Sequence, residues 1–163
     1  VNRLDTGAHC YDTYPTKDGK WVAIGSIEPQ FYALMREKLG LEDDKEFDDQ
    51  DNEENWPVLK EKMVEIFKTK TRDEWCALME GTDVCFAPVL SLTEAPKHPH
   101  NVERKTYLNI NGSYQPAPAP RYSGYDLDEP RPAPPAGANT DEILQGLGYD
   151  ADKISALKSE KVV

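Results

Sequence analysis

The uneven placing of the prolines constrains the fold of this chain more than any other feature of its sequence. Of 13 prolines in 163 residues, seven fall between residues 115 and 138. Because proline lacks a backbone N–H donor, this stretch favours an extended polyproline conformation and cannot form the interior of a sheet. We therefore predict one compact module over residues 10–100, an extended proline-rich strap over 101–138 and a helical tail over 139–163.

Turn and capping signals divide the chain into short strands and helices. Asp18-Gly19 stands between two β-prone runs, which is a strong signal for a hairpin. Pro29 favours the first position of a helix, Gly40 favours a left-handed helix end, and Pro88 favours an edge strand. The predicted fold class is α+β, a small antiparallel sheet packed with helices. The predicted strands are Tyr11–Tyr14, Trp21–Ile24 and Val84–Leu90, and the predicted helices run over Pro29–Gly40, from Asn55, from Thr71, from Thr140 and over Asp150–Lys158.

The charge of the chain excludes some classes of partner. The net charge is −11 at neutral pH, from 30 Asp and Glu against 19 Lys and Arg. A surface this acidic repels phosphate groups, so we expect neither a nucleic acid nor a membrane as a partner. Nine of the acids lie in Glu42–Glu54, which we call the acidic segment and which lacks the pattern of an EF-hand. We predict that it is a solvated loop.

The cysteines and histidines form no recognisable metal or disulfide pattern. Cys10, Cys76 and Cys85 are too few and too widely spaced for a disulfide framework, which fits a reducing compartment. We expect Cys76 and Cys85 to be buried and inert. His98 and His100 lack a third ligand nearby, which favours a surface loop over a metal site. Since no apolar run suits a membrane span and no signal-peptide pattern opens the chain, we predict a protein that is not secreted.

Glu28 is the strongest candidate for a chemical role. It stands just before Pro29, at a strand-to-helix junction where free backbone N–H groups favour negative charge. One interpretation is that its carboxylate caps the helix or complements the helix dipole. The other is that the carboxylate, beside apolar Ile27, orients or exchanges a proton with a catalytic group from elsewhere. The local pattern does not decide between them.

Several groups of residues together carry a resemblance to a known family. They are Tyr11–Tyr14, Asp18–Tyr32, Glu74–Cys76, Gly81–Cys85, Pro88–Leu90, His98–Asn101, Glu103–Arg104, Asn139–Leu144 and Leu147–Tyr149. Through them the chain resembles the α-methylacyl-CoA racemases, a branch of the family III CoA-transferases (CaiB/BaiF-like). The resemblance covers nearly the whole chain in order and spacing, and it is weakest in the acidic segment and the strap.

The resemblance implies an isomerase of branched-chain acyl-CoA metabolism. Such enzymes interconvert (R)- and (S)-2-methylacyl-CoA by removing the α-proton from one face and returning a proton to the other. They use no metal or organic cofactor, because the thioester carbonyl takes up the enolate charge. A histidine serves one face and an aspartate the other, and a glutamate that supports the histidine matches Glu28. Leu4 and Ile27 match positions that line the acyl path.

The two bases of the family have no counterpart in this sequence. None of His9, His98 and His100 matches the histidine, and nothing matches the aspartate. The resemblance therefore implies that residues 1–9 are a linker from a missing large domain, and that the chain alone is inactive. It also implies an interlocked homodimer, in which the small domain of one subunit meets the large domain of the other. A cytoplasmic location in a bacterium, or a mitochondrial or peroxisomal one in a eukaryote, fits this assignment.

Two alternatives remain open at the level of sequence. A CoA-transferase of the same family would carry CoA between carboxylic acids through an aspartyl intermediate. The segment Ile27–Tyr32 favours the racemase branch over that enzyme. A non-catalytic module that binds partners through the proline-rich strap is the other alternative.

Overall fold

The computed structural model describes residues 2–163. It falls into two compact units, one ending at Ala95 and the other beginning at Pro96. The first unit holds a three-stranded sheet and three helices, and the second holds a two-stranded sheet and three short helices.

The first unit is built on an antiparallel sheet with the order β1-β2-β3, in which β1 is Tyr11–Pro15, β2 is Trp21–Gly25 and β3 is Phe86–Val89. The β1–β2 turn contains Gly19 with a φ of 73°, so the predicted Asp-Gly hairpin is confirmed. In β3, Pro88 lies opposite Val22 and the strand is at the edge of the sheet, as predicted.

Three helices follow the boundaries that the sequence predicts. Helix α1 (Pro29–Leu39) begins with Pro29 and ends at Gly40, whose φ is 72°. Helix α2 is Trp56–Phe67 and helix α3 is Arg72–Met79. The capping box at the start of α3 is complete, because Thr71 and Glu74 each accept a hydrogen bond from the backbone N–H of the other.

The core lies on one face of the sheet only. Side chains of alternate strand residues, among them Tyr14, Val22 and Ile24, point into a cluster with the buried aromatic residues of α2 and α3. On the other face, Thr13 and Ala87 are exposed. We call this uncovered side the outer face of the sheet. The buried aromatic side chains of the core are Tyr14, Tyr32, Phe47, Trp56, Phe67 and Trp75.

The acidic segment is not simply a solvated loop, and the prediction is wrong at Phe47. Phe47 lies in a short 3₁₀ turn, Lys45–Phe47, and its side chain is fully buried. The Tyr32 hydroxyl donates a 2.9 Å hydrogen bond to the Phe47 carbonyl, and His9 Nε2 lies 2.8 Å from the same hydroxyl. Burial of one apolar residue therefore folds this charged segment back onto the core.

The buried His9 is held as a neutral imidazole. Since the Tyr32 hydroxyl donates to Phe47, Nε2 of His9 donates to Tyr32 and Nδ1 is left without a partner. A proton on Nδ1 would be a buried donor with no acceptor. Burial lowers the pKa of His9 from 6.5 to about 4.

The free energy of unfolding should therefore fall as the pH drops from 6.5 to 4. In that interval the unfolded chain binds a proton at His9 and the folded chain does not, which costs about 3 kcal/mol in total. Urea titrations at several pH values measure it. The variant His9→Gln, which keeps a donor towards Tyr32, should lose this part of the pH dependence. Equal pH slopes in the two proteins would refute the assignment.

The second unit begins with helix α4 (Pro99–Glu103) and a hairpin of two strands, β4 (Tyr107–Ile110) and β5 (Ser113–Pro116). The hairpin corrects the prediction of an extended chain here. Its turn is Asn111-Gly112, with φ values of 51° and 84°. These values suit the two-residue turn that Asn-Gly favours.

The remainder of the second unit consists of a stretch without regular secondary structure and two C-terminal helices. Residues 117–139 contain neither helix nor strand. Helices α5 (Thr140–Gly146) and α6 (Ala151–Ser159) follow, and Lys158 forms an ion pair with Asp141. Within residues 2–163, no helix has the length and apolar character needed to cross a bilayer.

Candidate functional site

The junction between β2 and α1 holds Glu28 on a fixed backbone. The buried Ser26 hydroxyl donates to the Val84 carbonyl at 2.5 Å, and the N–H of Ile27 donates to the Gly25 carbonyl at 2.9 Å. The Glu28 carbonyl accepts the first hydrogen bond of α1 from the N–H of Tyr32. The chain therefore enters the helix in one defined conformation.

The Glu28 side chain does not cap the helix whose N-cap position it occupies. Its backbone is extended, with φ −70° and ψ 143°, and the carboxylate makes no capping hydrogen bond. The side chain is exposed. The capping hydrogen bond is therefore not formed, while interaction of the carboxylate with the helix dipole stays a prediction. The carboxylate can therefore bind a group that does not belong to helix α1.

Gln50 binds the same junction from the acidic segment. Its side-chain amide donates to the Ile27 carbonyl at 2.7 Å and to the Ser26 carbonyl at 3.1 Å, and it lies 3.4 Å from the Cys10 thiol. Sequence reasoning missed this residue, because a single Gln among nine acids carries no recognisable signal. Gln50 and the nearby Phe47 differ from their acidic neighbours in carrying no charge, and this was the only sign that could have drawn attention to them.

The N-terminal turn carries Leu4, the second residue that the resemblance assigns to the site. Residues Arg3–Gly7 form a distorted helical turn in which Leu4 is 62% exposed. Arg3 pairs with Asp51 and lies over the ring of Trp56, with 5.5 Å between the guanidinium carbon and the ring centroid. Lys60 donates to the Thr6 carbonyl and so holds the other end of the turn.

The structure links the three residues assigned to the site, Leu4, Ile27 and Glu28, through two residues of the acidic segment. Ile27 and Glu28 are neighbours in the chain, and Ile27 is half-buried. Leu4 lies in a different segment. Gln50 and Asp51, adjacent to each other, contact the two segments, since Gln50 binds Ile27 and Asp51 pairs with Arg3.

A shallow groove of about 410 Å³ lies on the outer face of the sheet. It is lined by residues of all three strands and by Thr6, and its walls are mainly small or apolar side chains. Glu28, Ile27 and Leu4 are not among its lining residues. Those that line it from the strands include Tyr11, Thr13, Ala23 and Ala87, and Cys85 lines it from just before β3.

Cys85 is exposed, which corrects the expectation that it is buried. The chain turns at this residue with a φ of 56°, just before β3, and this turn directs the thiol away from the core. Partial burial, followed by the negative charges of Glu28 and Asp83, raises the pKa of Cys85. Cys76 is half-buried, and desolvation raises its pKa to about 11. Both thiols are therefore protonated at neutral pH and are poor nucleophiles.

The remaining histidines lie on helix α4. His98 occupies the N-cap position and His100 lies within the helix, so a short helix replaces the predicted loop. Among residues 2–163, no three His, Cys, Asp or Glu side chains stand close enough together to hold a metal ion.

Comparisons with known proteins identify two kinds of relative. The chain is 40% identical to the α-methylacyl-CoA racemase of Mus musculus and 39% identical to that of Homo sapiens, over 99% of this chain and 43% of each relative. It is 31% identical to the (R)-2-hydroxy-4-methylpentanoate CoA-transferase of Clostridioides difficile, over 100% of this chain and 43% of that protein. The chain therefore spans less than half the length of these curated relatives.

The fold is also similar to that of a solved structure. A crystal structure of Rv3272 from Mycobacterium tuberculosis superposes with a TM-score of 0.64 and 18% identity, over 80% of this chain and 37% of that one. This similarity supports the α+β fold alone. The family model of CoA-transferase family III matches residues 1–140 of the sequence. On that match, supported by the racemase relatives, the chain belongs to CoA-transferase family III.

Proposed function

We propose that this chain forms the small domain, strap and tail of an α-methylacyl-CoA racemase. The observation that carries the proposal is Glu28, an exposed carboxylate on a fixed junction that makes no capping hydrogen bond to its own helix. The racemases of mouse and human are the relatives with the higher identity, at 40% and 39% against 31% for the CoA-transferase. The proposed reaction interconverts (R)- and (S)-2-methylacyl-CoA.

In this reaction the protein moves a proton at the α-carbon of the thioester. One base removes the proton, the thioester carbonyl takes up the negative charge as an enolate, and the second group returns a proton to the opposite face. Glu28 would accept a hydrogen bond from the imidazole of one base. That contact fixes the tautomer of the imidazole and stabilises its charged form, as a buried aspartate does in the serine-protease triad. Leu4 and Ile27 would contact the acyl chain, and the reaction requires no metal or organic cofactor.

The two bases would come from a large domain that precedes the chain in a longer protein. We use the term assembled enzyme for this chain joined to that large domain, in an interlocked homodimer. The outer face of the sheet suits burial against such a domain, because Trp21 and Val89 are 46% and 42% exposed on it. The strap and the helical tail would return to the large domain.

The proposal predicts that the isolated chain does not catalyse exchange at the α-carbon, whereas the assembled enzyme does. The measurement is deuterium incorporation at the α-carbon of 2-methylacyl-CoA in heavy water. The isolated chain should show no incorporation above a buffer blank. Turnover by the purified chain, or no incorporation by the assembled enzyme, would contradict the proposal.

A CoA-transferase is the second candidate, favoured by the similarity to the Clostridioides difficile enzyme over the whole chain. The two activities separate in one assay with a labelled carboxylic acid as acceptor. A racemase gives deuterium at the α-carbon and no transfer of CoA to the labelled acid. A transferase gives the labelled acyl-CoA and no stereochemical inversion at the α-carbon.

A further inference from the structure

The carbonyls of Ser26 and Ile27 lie at a point in the chain where neither the sheet nor helix α1 supplies an N–H donor. The N–H of Gly25 ends the pairing of β2 by donating to the Cys85 carbonyl, and the hydrogen bonds of α1 begin at the Glu28 carbonyl. Two carbonyls between these points would lack a partner from regular secondary structure. The side-chain amide of Gln50 donates to both of them. A buried or half-buried carbonyl without a donor costs free energy, so this contact selects the conformation of the junction.

Gln50 is itself fixed by the core. The indole N–H of Trp56 donates to the Gln50 carbonyl at 2.8 Å, and Trp56 is 1% exposed at the start of α2. The next residue, Asp51, pairs with Arg3, whose guanidinium lies over the same indole. One buried tryptophan therefore anchors both the junction that bears Glu28 and the turn that bears Leu4.

We propose that Gln50 is a positioning residue for Glu28, and that it acts through the Ser26 and Ile27 carbonyls. The inference rests on the proposed function and adds a residue to it. Without the amide donors, the junction samples other conformations and the carboxylate is less often in place to orient the imidazole. The loss should fall more on turnover than on substrate affinity, because Gln50 binds the backbone carbonyl of Ile27, and the side chain that would meet the acyl chain takes no part in that contact.

The experiment compares Gln50→Met with the wild-type assembled enzyme. Methionine keeps the length of the side chain and removes both donors. We expect kcat for α-deuterium exchange to fall about tenfold or more, since small displacements of catalytic groups have effects of that size or larger, while KM changes less than twofold. Gln50→Glu, in which carboxylate oxygens face the two carbonyls, should have at least the same effect. Gln115→Glu, an exposed change in β5, is the matched control and should leave kcat unchanged.

A double-mutant cycle separates positioning from a general structural role. In a Glu28→Gln background, Gln50→Met should lower kcat less than twofold, because the carboxylate that Gln50 positions is already absent. An equal loss in both backgrounds, or a kcat within twofold of wild type for the single variant, would overturn the inference. Thermal unfolding confirms that each variant is folded. If Gln50→Met does not fold, Gln50→Glu takes its place in the cycle.

Failure of this inference can be told apart from failure of the proposed function. If the wild-type assembled enzyme shows no exchange, the proposed function fails. If Glu28→Gln retains full exchange activity, the racemase reaction stands, but the orienting role of Glu28 fails and the positioning role of Gln50 fails with it. If Glu28→Gln is strongly impaired but Gln50→Met is not, only the positioning role fails. Amide hydrogen exchange at Ile27, whose N–H donates to the Gly25 carbonyl, gives a direct readout in the 163-residue chain. Gln50→Met should accelerate it, and unchanged exchange would overturn the role of Gln50 at the junction.

Discussion

Glu28→Gln in the assembled enzyme is expected to lower kcat for α-deuterium exchange about a hundredfold, with a much smaller change in KM. The amide keeps the shape of the side chain but removes the charge that would stabilise an imidazolium. Contributions of positioned acid–base groups are commonly about 10²- to 10⁴-fold. Because the carboxylate acts on the base and not on the substrate, the effect should appear in turnover.

The matched control for this variant is Glu37→Gln. Glu37 is an exposed glutamate of the same helix, paired with Lys38. It should leave both kcat and KM within twofold of wild type. Rates are measured by the loss of the α-proton signal in heavy water. A kcat within twofold of wild type for Glu28→Gln would remove the orienting role from this residue.

The largest effect on stability is expected from Trp75→Ala. Trp75 is 1% exposed, its indole N–H donates to the Phe67 carbonyl at 2.8 Å, and its ring meets that of Phe67 edge to face at 5.1 Å. Removing a buried aromatic side chain costs about 3–5 kcal/mol. That loss is comparable with the whole stability of many small domains, so the variant should be largely or wholly unfolded at 37 °C.

Trp21→Ala is the matched control, because Trp21 is 46% exposed on the outer face of the sheet. In the isolated chain it should cost less than about 1 kcal/mol, as exposed sites usually do. Urea unfolding of the 163-residue chain, followed by circular dichroism, measures both variants. Equal losses for the two tryptophans would show that the core does not lie on the face of the sheet described here.

Local signals in the sequence were sufficient for most strands and helices of the first unit. The hairpin turn at Gly19 and the helix end at Gly40 each require a positive φ that glycine adopts without strain, and both residues adopt it. The capping box of Thr71 and Glu74 involves only residues three apart, so its geometry follows from the helix itself. Such elements are predictable because their causes lie within a few residues.

The errors arose where a contact distant in sequence decides the structure. Phe47 is buried because its side chain joins the core and its carbonyl accepts a hydrogen bond from Tyr32, although both neighbouring residues are acidic. Cys85 lies in an apolar run but turns outwards at a positive φ. The hairpin at Asn111-Gly112 is different, since its turn signal is local and the prediction of an extended strap overlooked it.

The candidate site was only partly predictable for the same reason. The junction at Glu28 follows from local sequence, whereas the role of Leu4 and Ile27 came from resemblance. Gln50 contacts the junction although it lies more than 20 residues further along the chain, and no sequence pattern predicts such a contact. Under the proposed function, the imidazole that Glu28 would orient comes from the large domain, so its position could not be predicted from this sequence.

The most direct test of this account is a structure of the assembled enzyme with a bound acyl-CoA analogue. The account predicts that a carboxylate oxygen of Glu28 lies about 2.6–3.2 Å from a nitrogen of an imidazole supplied by the large domain, beside the α-carbon of the analogue. A Glu28 side chain in bulk solvent, with no imidazole or thioester nearby, would contradict it.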